Sequence, residues 1–152
     1  MKNPTRAAAL AATFALASVG AFARSEVCVD VSDAQIAGLF DGWNASLQTG
    51  DPKLMVARYA QKSVLLPTLS DSPRLTQQAK EDYFVHFLAR KPVGHIDSRS
   101  IEIDCNTAID TGLYTFRFGD GSEVKARYTY TYKRFGNQWL ITSHHSSVQP
   151  KN

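Results

Sequence analysis

The chain has 152 residues, 43% of them apolar and 20% charged, which fits one folded globular domain and excludes a disordered polar chain. Its 17 Lys and Arg stand against 14 Asp and Glu; Lys2 and Arg6 fall in a leader, and without them the balance is +1. With no Lys/Arg block longer than two residues, that balance excludes recognition of nucleic acid by bulk charge.

Residues 1–23 read as a secretory signal: Lys2 and Arg6 supply the charged start, Ala7 to Phe22 the apolar run, and Ala21-Phe22-Ala23 the small-x-small cleavage site. The mature chain is expected to begin near Arg24, as one domain over 24–152 in the periplasm or outside the cell. No further stretch is long and apolar enough to span a bilayer, so no membrane contact is expected after cleavage. Two cysteines remain, Cys28 and Cys105, and an even count in an exported chain points to a disulfide. The absence of Cys-x-x-Cys argues against a redox thiol.

Ser32 opens the first clear helix. Gln35 completes a capping box, and Ile36, Leu39, Phe40, Trp43 and Leu47 recur at helical spacing until Gly50 ends it. Asp51 caps and Pro52 begins a second, short helix carrying Leu54, Met55 and Tyr59. Residues 63–67 are predicted to form a short buried strand that Pro67 closes. Beyond a loop with Asp71, Ser72 and Pro73, Thr76 caps a third helix bearing Tyr83, Phe84, Phe87 and Leu88, which Pro92 and Gly94 close. From His95 the period becomes alternating. Four strands follow, over about 95–104, 107–118, 123–134 and 138–148, separated by Cys105-Asn106, Gly119-Asp120-Gly121 and Phe135-Gly136-Asn137. Connections this short make an antiparallel meander, so the fold class is α+β, with three helices on one face of a curved sheet. On the third of these strands Val124, Ala126, Tyr128, Tyr130 and Tyr132 share one face, and Lys125, Arg127, Thr129, Thr131 and Lys133 the other. Either set is compatible with facing the helices.

Several motifs together carry a family likeness: Ala126-Arg127-Tyr128-Thr129-Tyr130-Thr131-Tyr132, Gly136-Asn137-Gln138-Trp139-Leu140-Ile141, and His144-His145-Ser146-Ser147 with Pro150. Leu65-Leu66-Pro67-Thr68, Pro73-Arg74-Leu75-Thr76, Tyr83-Phe84 with Phe87-Leu88, and Ala108-Ile109-Asp110 with Gly112 and Tyr114 add to it. The stretch of about 33–150 resembles the bacterial relatives of the calcium/calmodulin-dependent protein kinase II association domain. The resemblance implies the nuclear transport factor-like (SnoaL-like) cone, with a pocket at its mouth, and self-association as a homodimer or something larger. It implies no kinase activity, since the Gly-rich loop, His-Arg-Asp and Asp-Phe-Gly of a kinase are missing. Related small proteins carry an oxidoreductase label, yet no Gly-x-Gly-x-x-Gly follows a strand here, and no cofactor is expected. The kinase module binds small carboxylates through pocket arginines; the position of one of them is Ser146, so that cationic site does not transfer.

The adjacent His144 and His145 point to opposite strand faces and cannot chelate one metal; no metal site is expected. One of them facing the pocket is a candidate acid, base or hydrogen-bonding group. Asp110 and Asp97 are the strand acids that could pair with it, and a solvated carboxylate at a strand edge explains Asp110 equally well. The polar groups expected at the pocket are Tyr83, Arg99, Tyr114, Arg127 and one of His144 and His145, with Trp43 and Phe84 on its apolar wall. If Arg127 faces inward the ligand is acidic; if the tyrosines do, it is neutral and flat, and Arg127 belongs to an interface. Two functions follow. One is an exported, self-associating domain that holds a small molecule. The other is a small cofactor-free lyase, isomerase or cyclase using a pocket acid or histidine.

Overall fold

The computed structural model describes residues 27–68 and 70–151; the signal-like leader lies outside the described residues. Helix α1 spans Asp33–Leu47, and its start follows the expected chemistry: the Ser32 side chain accepts from the Gln35 N–H while the Gln35 side chain reaches back to Ser32. Gly50, at φ 69°, takes the left-handed conformation that lets the chain leave the helix. Helix α2 is one short turn, Pro52–Val56, capped by Asp51. Strand β1 then runs Tyr59–Leu66, so Tyr59 is its first residue rather than part of the second helix. The sequence pattern fails there because Leu54, Met55 and Tyr59 also fit a helical period, and nothing local shows the helix ending at Val56. Helix α3 covers Gln77–Ala89. Strands β2 (Val93–Asp104), β3 (Thr107–Arg117), β4 (Glu123–Phe135) and β5 (Gln138–Val148) complete the chain.

The sheet order is β1-β5-β4-β3-β2. Strands β2 to β5 form the antiparallel meander, and β1 adds to the β5 edge in parallel, with Leu65 beside His144. Strand β2 starts at Val93, two residues before the expected His95, because Gly94 belongs to the sheet. A Cβ there would meet Phe116, Phe40 and Asn44 at 3.0–3.2 Å, and the Asn44 side chain both donates to the Gly94 carbonyl and accepts from its N–H. That bracket ties α1 to the sheet.

The face of β4 that meets the helices is the tyrosine face. Tyr128, Tyr130 and Tyr132 are buried, whereas Lys125, Arg127 and Lys133 are exposed. Ile36, Phe40, Trp43 and Leu47 on α1 pack with these tyrosines, Tyr114 and Phe116 into one core. This core removes about a dozen large apolar side chains from water, each contributing roughly 1.5–3 kcal/mol before conformational entropy is counted. On α3, Lys80 is fully buried, with Nζ donating to the carbonyls of Ser63 at 3.0 Å and Leu75 at 3.3 Å; desolvation lowers its pKa. Cys28 and Cys105 are joined, with Cα atoms 4.4 Å apart, fastening the segment before α1 to the β2–β3 turn. No helix among the described residues is long and apolar enough to cross a membrane.

Candidate functional site

A cavity of about 590 Å³ lies between α3 and the inner sheet face. Two chains of hydrogen bonds mark its polar part. In the first, Trp43 Nε1–H donates to the Tyr59 oxygen at 3.2 Å, and Tyr59 Oη lies 2.8 Å from His144 Nδ1. In the second, Tyr114 O–H donates to Ser146 Oγ at 2.5 Å, and Ser146 is hydrogen-bonded to the Thr68 hydroxyl. The apolar walls are Phe84 and Phe87 from α3, Phe116 from β3, and Leu65, Val124 and Ala126. Charges also line it, as Arg74, Asp82 and Arg90, but Asp82 and Arg90 are exposed and Arg74 is half-buried. Arg74 donates to the Ser72 carbonyl at 2.9 Å, and the Arg90 guanidinium lies 3.6 Å over the Phe118 ring.

His144 is closely packed. Its ring stacks on Tyr130 with centroids 4.1 Å apart, and meets Trp43 edge-on at 5.6 Å. Burial, and secondarily the charge of His145, push its pKa down from 6.5 to about 3, so the imidazole is neutral at physiological pH. Burial likewise raises the pKa of Tyr59 and Tyr114, keeping both phenols protonated as donors.

Of the residues expected at the pocket, Trp43, Tyr83, Phe84, Tyr114 and His144 line this cavity together. Three do not. Arg127 and His145 lie on the outer face of the sheet, in a shallow groove with Thr111, Leu113, Thr129 and Ser147. Strand alternation requires this once the tyrosines and His144 turn inward. Arg99 is on the inner face but apart from the cavity, its Nε donating to Asp110 Oδ1 at 3.2 Å. The same carboxylate oxygen accepts from Tyr128 O–H at 2.8 Å. Asp110 is therefore no solvated edge carboxylate: it is fully buried, and desolvation raises its pKa against the opposing effect of Tyr128 and Arg99. Asp97 is exposed on the outer face, accepting from Thr115 at 2.7 Å, which holds its pKa low.

Sequence reasoning missed Thr68 and Ser146 as polar members of this site. Thr68 and Ser146 meet only because β1 pairs in parallel with β5, and such a pairing leaves no local turn signal.

An antiparallel meander with one parallel edge strand, packed on helices and with its pocket beside the third helix, is the fold of the nuclear transport factor 2-like class. The chain belongs to the calcium/calmodulin dependent protein kinase II association domain family, whose model matches residues 32–150. A solved structure from Xanthomonas campestris, provisionally described as such an association domain, is 42% identical over 81% of this chain and 91% of its own, with a TM-score of 0.77. One from Thiobacillus denitrificans with the same provisional description is 15% identical over 75% of this chain and 94% of its own, at a TM-score of 0.62. A Streptomyces avermitilis protein, provisionally described as a dehydratase of the nuclear transport factor 2-like family, is 13% identical over 78% and 96%, at 0.69. These last two show the fold alone. No curated protein matches the chain significantly.

Proposed function

We propose that this protein is an exported, self-associating domain that holds a small molecule in its cone without transforming it. The observation that carries this reading is the isolation of His144 from any acid. Asp110, Tyr130 and His144 lie in register on three successive strands, so the carboxylate and the imidazole are two strand spacings, roughly 9–10 Å, apart at the backbone. Asp110 is engaged by Tyr128 and Arg99, and Tyr130 stands between it and His144. An imidazole with a pKa of about 3 is poorly suited to move protons near pH 7. The aromatic cavity is of the size that small-molecule sites have. Export is supported by the leader and by the Cys28–Cys105 disulfide, and self-association by the family.

Native mass spectrometry of the full chain expressed in a bacterial host and recovered from the periplasm tests all three parts. The expected result is a multiple of a chain shortened by about 23 residues, carrying a non-covalent small molecule. A full-length chain in the cytoplasm overturns export. A one-chain mass overturns assembly. Turnover of the recovered molecule by the purified protein overturns the non-catalytic reading.

A further inference from the structure

The cavity is polarised from its inner wall to its rim. Trp43, Leu65, Phe84 and Phe116 line its inner part and are buried, and the Tyr114 hydroxyl among them is already engaged by Ser146. Arg74, Asp82 and Arg90 line it too, but they are half-buried or exposed and so stand at its solvent side. Two of these are cations and one is an acid. Asp82 accepts from the Gln78 side chain at 2.9 Å, and neither guanidinium has a carboxylate within ion-pairing distance among the described residues. Arg74 directs one N–H at the Ser72 carbonyl and one at the Ser70 hydroxyl, while Arg90 lies over the Phe118 ring. A guanidinium has five N–H donors, so both keep donors for a further acceptor. Tyr83, on α3, belongs to the same rim. Burial raises its pKa to about 12, and Arg74 and Arg90 oppose that rise, which places both cations toward the phenol oxygen. The Tyr83 hydroxyl makes no hydrogen bond among the described residues.

Resting on the reading that the cavity holds a small molecule, we propose that its ligand is an anionic amphiphile of the fatty-acid type. The apolar body lies inside, against Trp43, Phe84 and Phe116, and a singly charged acidic head sits at the rim, accepting from Arg74, Arg90 and the Tyr83 hydroxyl. Each end needs the other. Half-solvated guanidiniums hold a small acid weakly, because water screens them, so most of the affinity must come from the body leaving water. A head at the rim keeps part of its hydration and meets opposite charge, so no anion is buried unpaired. An alcohol in its place forfeits the charge-assisted hydrogen bonds, and an ammonium meets two like charges. The inward tyrosines of β4 taken alone point to a neutral ligand. Arg74 and Arg90 come from the chain before α3 and from its C-terminal cap, outside the sheet, where strand alternation carries no information.

The test is calorimetric titration, at low salt, of the folded, disulfide-bonded protein with octanoate, octanol, octylammonium and acetate. Octanoate is expected to bind about tenfold more tightly than octanol, the factor that a charge-assisted hydrogen bond supplies at a half-solvated site. Octylammonium is expected to bind more weakly than octanol, and acetate not detectably. Arg74→Gln and Arg90→Gln are each expected to lower the affinity for octanoate several-fold while leaving that for octanol, a pattern that damage to the fold would not produce. Added salt is expected to narrow the ratio of octanoate to octanol, since both guanidiniums meet solvent. Equal binding of octanoate and octanol, or a ratio that survives both substitutions, overturns the proposal. So does acetate binding as tightly as octanoate, which would leave the apolar body without a role. In each of these cases the cavity remains a ligand site. If none of the probes binds, this proposal fails, and the ligand-holding reading fails with it unless native mass spectrometry recovers a bound molecule.

Discussion

A protonated His144 would have no counter-charge beside it: its ring neighbours are Tyr130, Trp43 and Tyr59, and the next titratable neighbour along the strand is another histidine. The folded state therefore excludes a proton that the unfolded chain accepts with a pKa near 6.5. The folded pKa is depressed, so the contribution to stability is complete above about pH 6.5. It is lost as pH falls toward 3, by about 1.4 kcal/mol per pH unit across that window. Urea denaturation at pH 7 and pH 5 measures this. The wild type is expected to lose stability more steeply on acidification than His144→Phe, and parallel losses would refute the assignment. That one of the paired histidines faces inward was legible from strand alternation alone. Which one was not, because the choice depends on β5 being buried on the face that carries the β4 tyrosines, a fact of packing rather than of local pattern. The same dependence misplaced Arg127, an arginine in a motif of aromatic residues whose side is set by its neighbours Ala126 and Tyr128.

At the level of elements, the β2–β3 pair shows what sequence carries and what it omits. Both strands and their two-residue turn follow from alternation and turn chemistry, but the register shift between Ile96 and Ser98 does not. Gly112 stands opposite this irregularity, and a Cβ there would lie 2.0 Å from the Ser98 carbonyl oxygen. Because the obstacle is backbone, no side-chain rotation relieves it. Gly112→Ala is expected to cost more than about 2 kcal/mol and to lower the thermal midpoint by several degrees. Melting like wild type would show that the strands separate freely at that point. The Cys28–Cys105 link holds the opposite end of the pair to the segment preceding α1, and Asn106 adds a hydrogen bond to the Val27 carbonyl at 3.1 Å. Closing 77 residues is worth about 2–4 kcal/mol to the folded state. The Cys28→Ser, Cys105→Ser double variant is expected to lose that amount while keeping its circular dichroism, since the core on α1 and β4 does not include the bridge. A double variant that is unfolded at 25 °C would contradict the independence of that core.

For the whole molecule, the inward turn of the tyrosines leaves the other face of the sheet to meet water or a partner. Its centre carries Ile109 at 39% and Leu113 at 37% exposure, set among Thr111, Thr129, Thr131, Ser147, Arg127 and His145. Short hydroxyl side chains of this kind lose little rotamer entropy on being covered, and exposed aliphatics such as Ile109 and Leu113 gain from it. Thr111 and Thr129 hydrogen-bond to each other at 3.0 Å, and Thr131 and Thr142 at 2.9 Å, so much of the polar capacity of this face is already satisfied within the sheet. A homodimer formed face to face through these strands is the expected assembly, its two-fold axis placed near the middle of β3 and β4. Two copies of one surface must match themselves, so a like charge placed at the centre is duplicated across the interface. Leu113→Glu brings two carboxylates together and is expected to convert a two-chain mass in light scattering to a one-chain mass at micromolar concentration, with stability changed by less than about 1 kcal/mol because the position is exposed in the isolated chain. Arg127→Ala, at the neighbouring register position, is expected to weaken the dimer less, since it removes a long side chain without adding repulsion. A wild-type mass of one chain, or a two-chain mass that survives Leu113→Glu, would place any assembly surface elsewhere on the molecule.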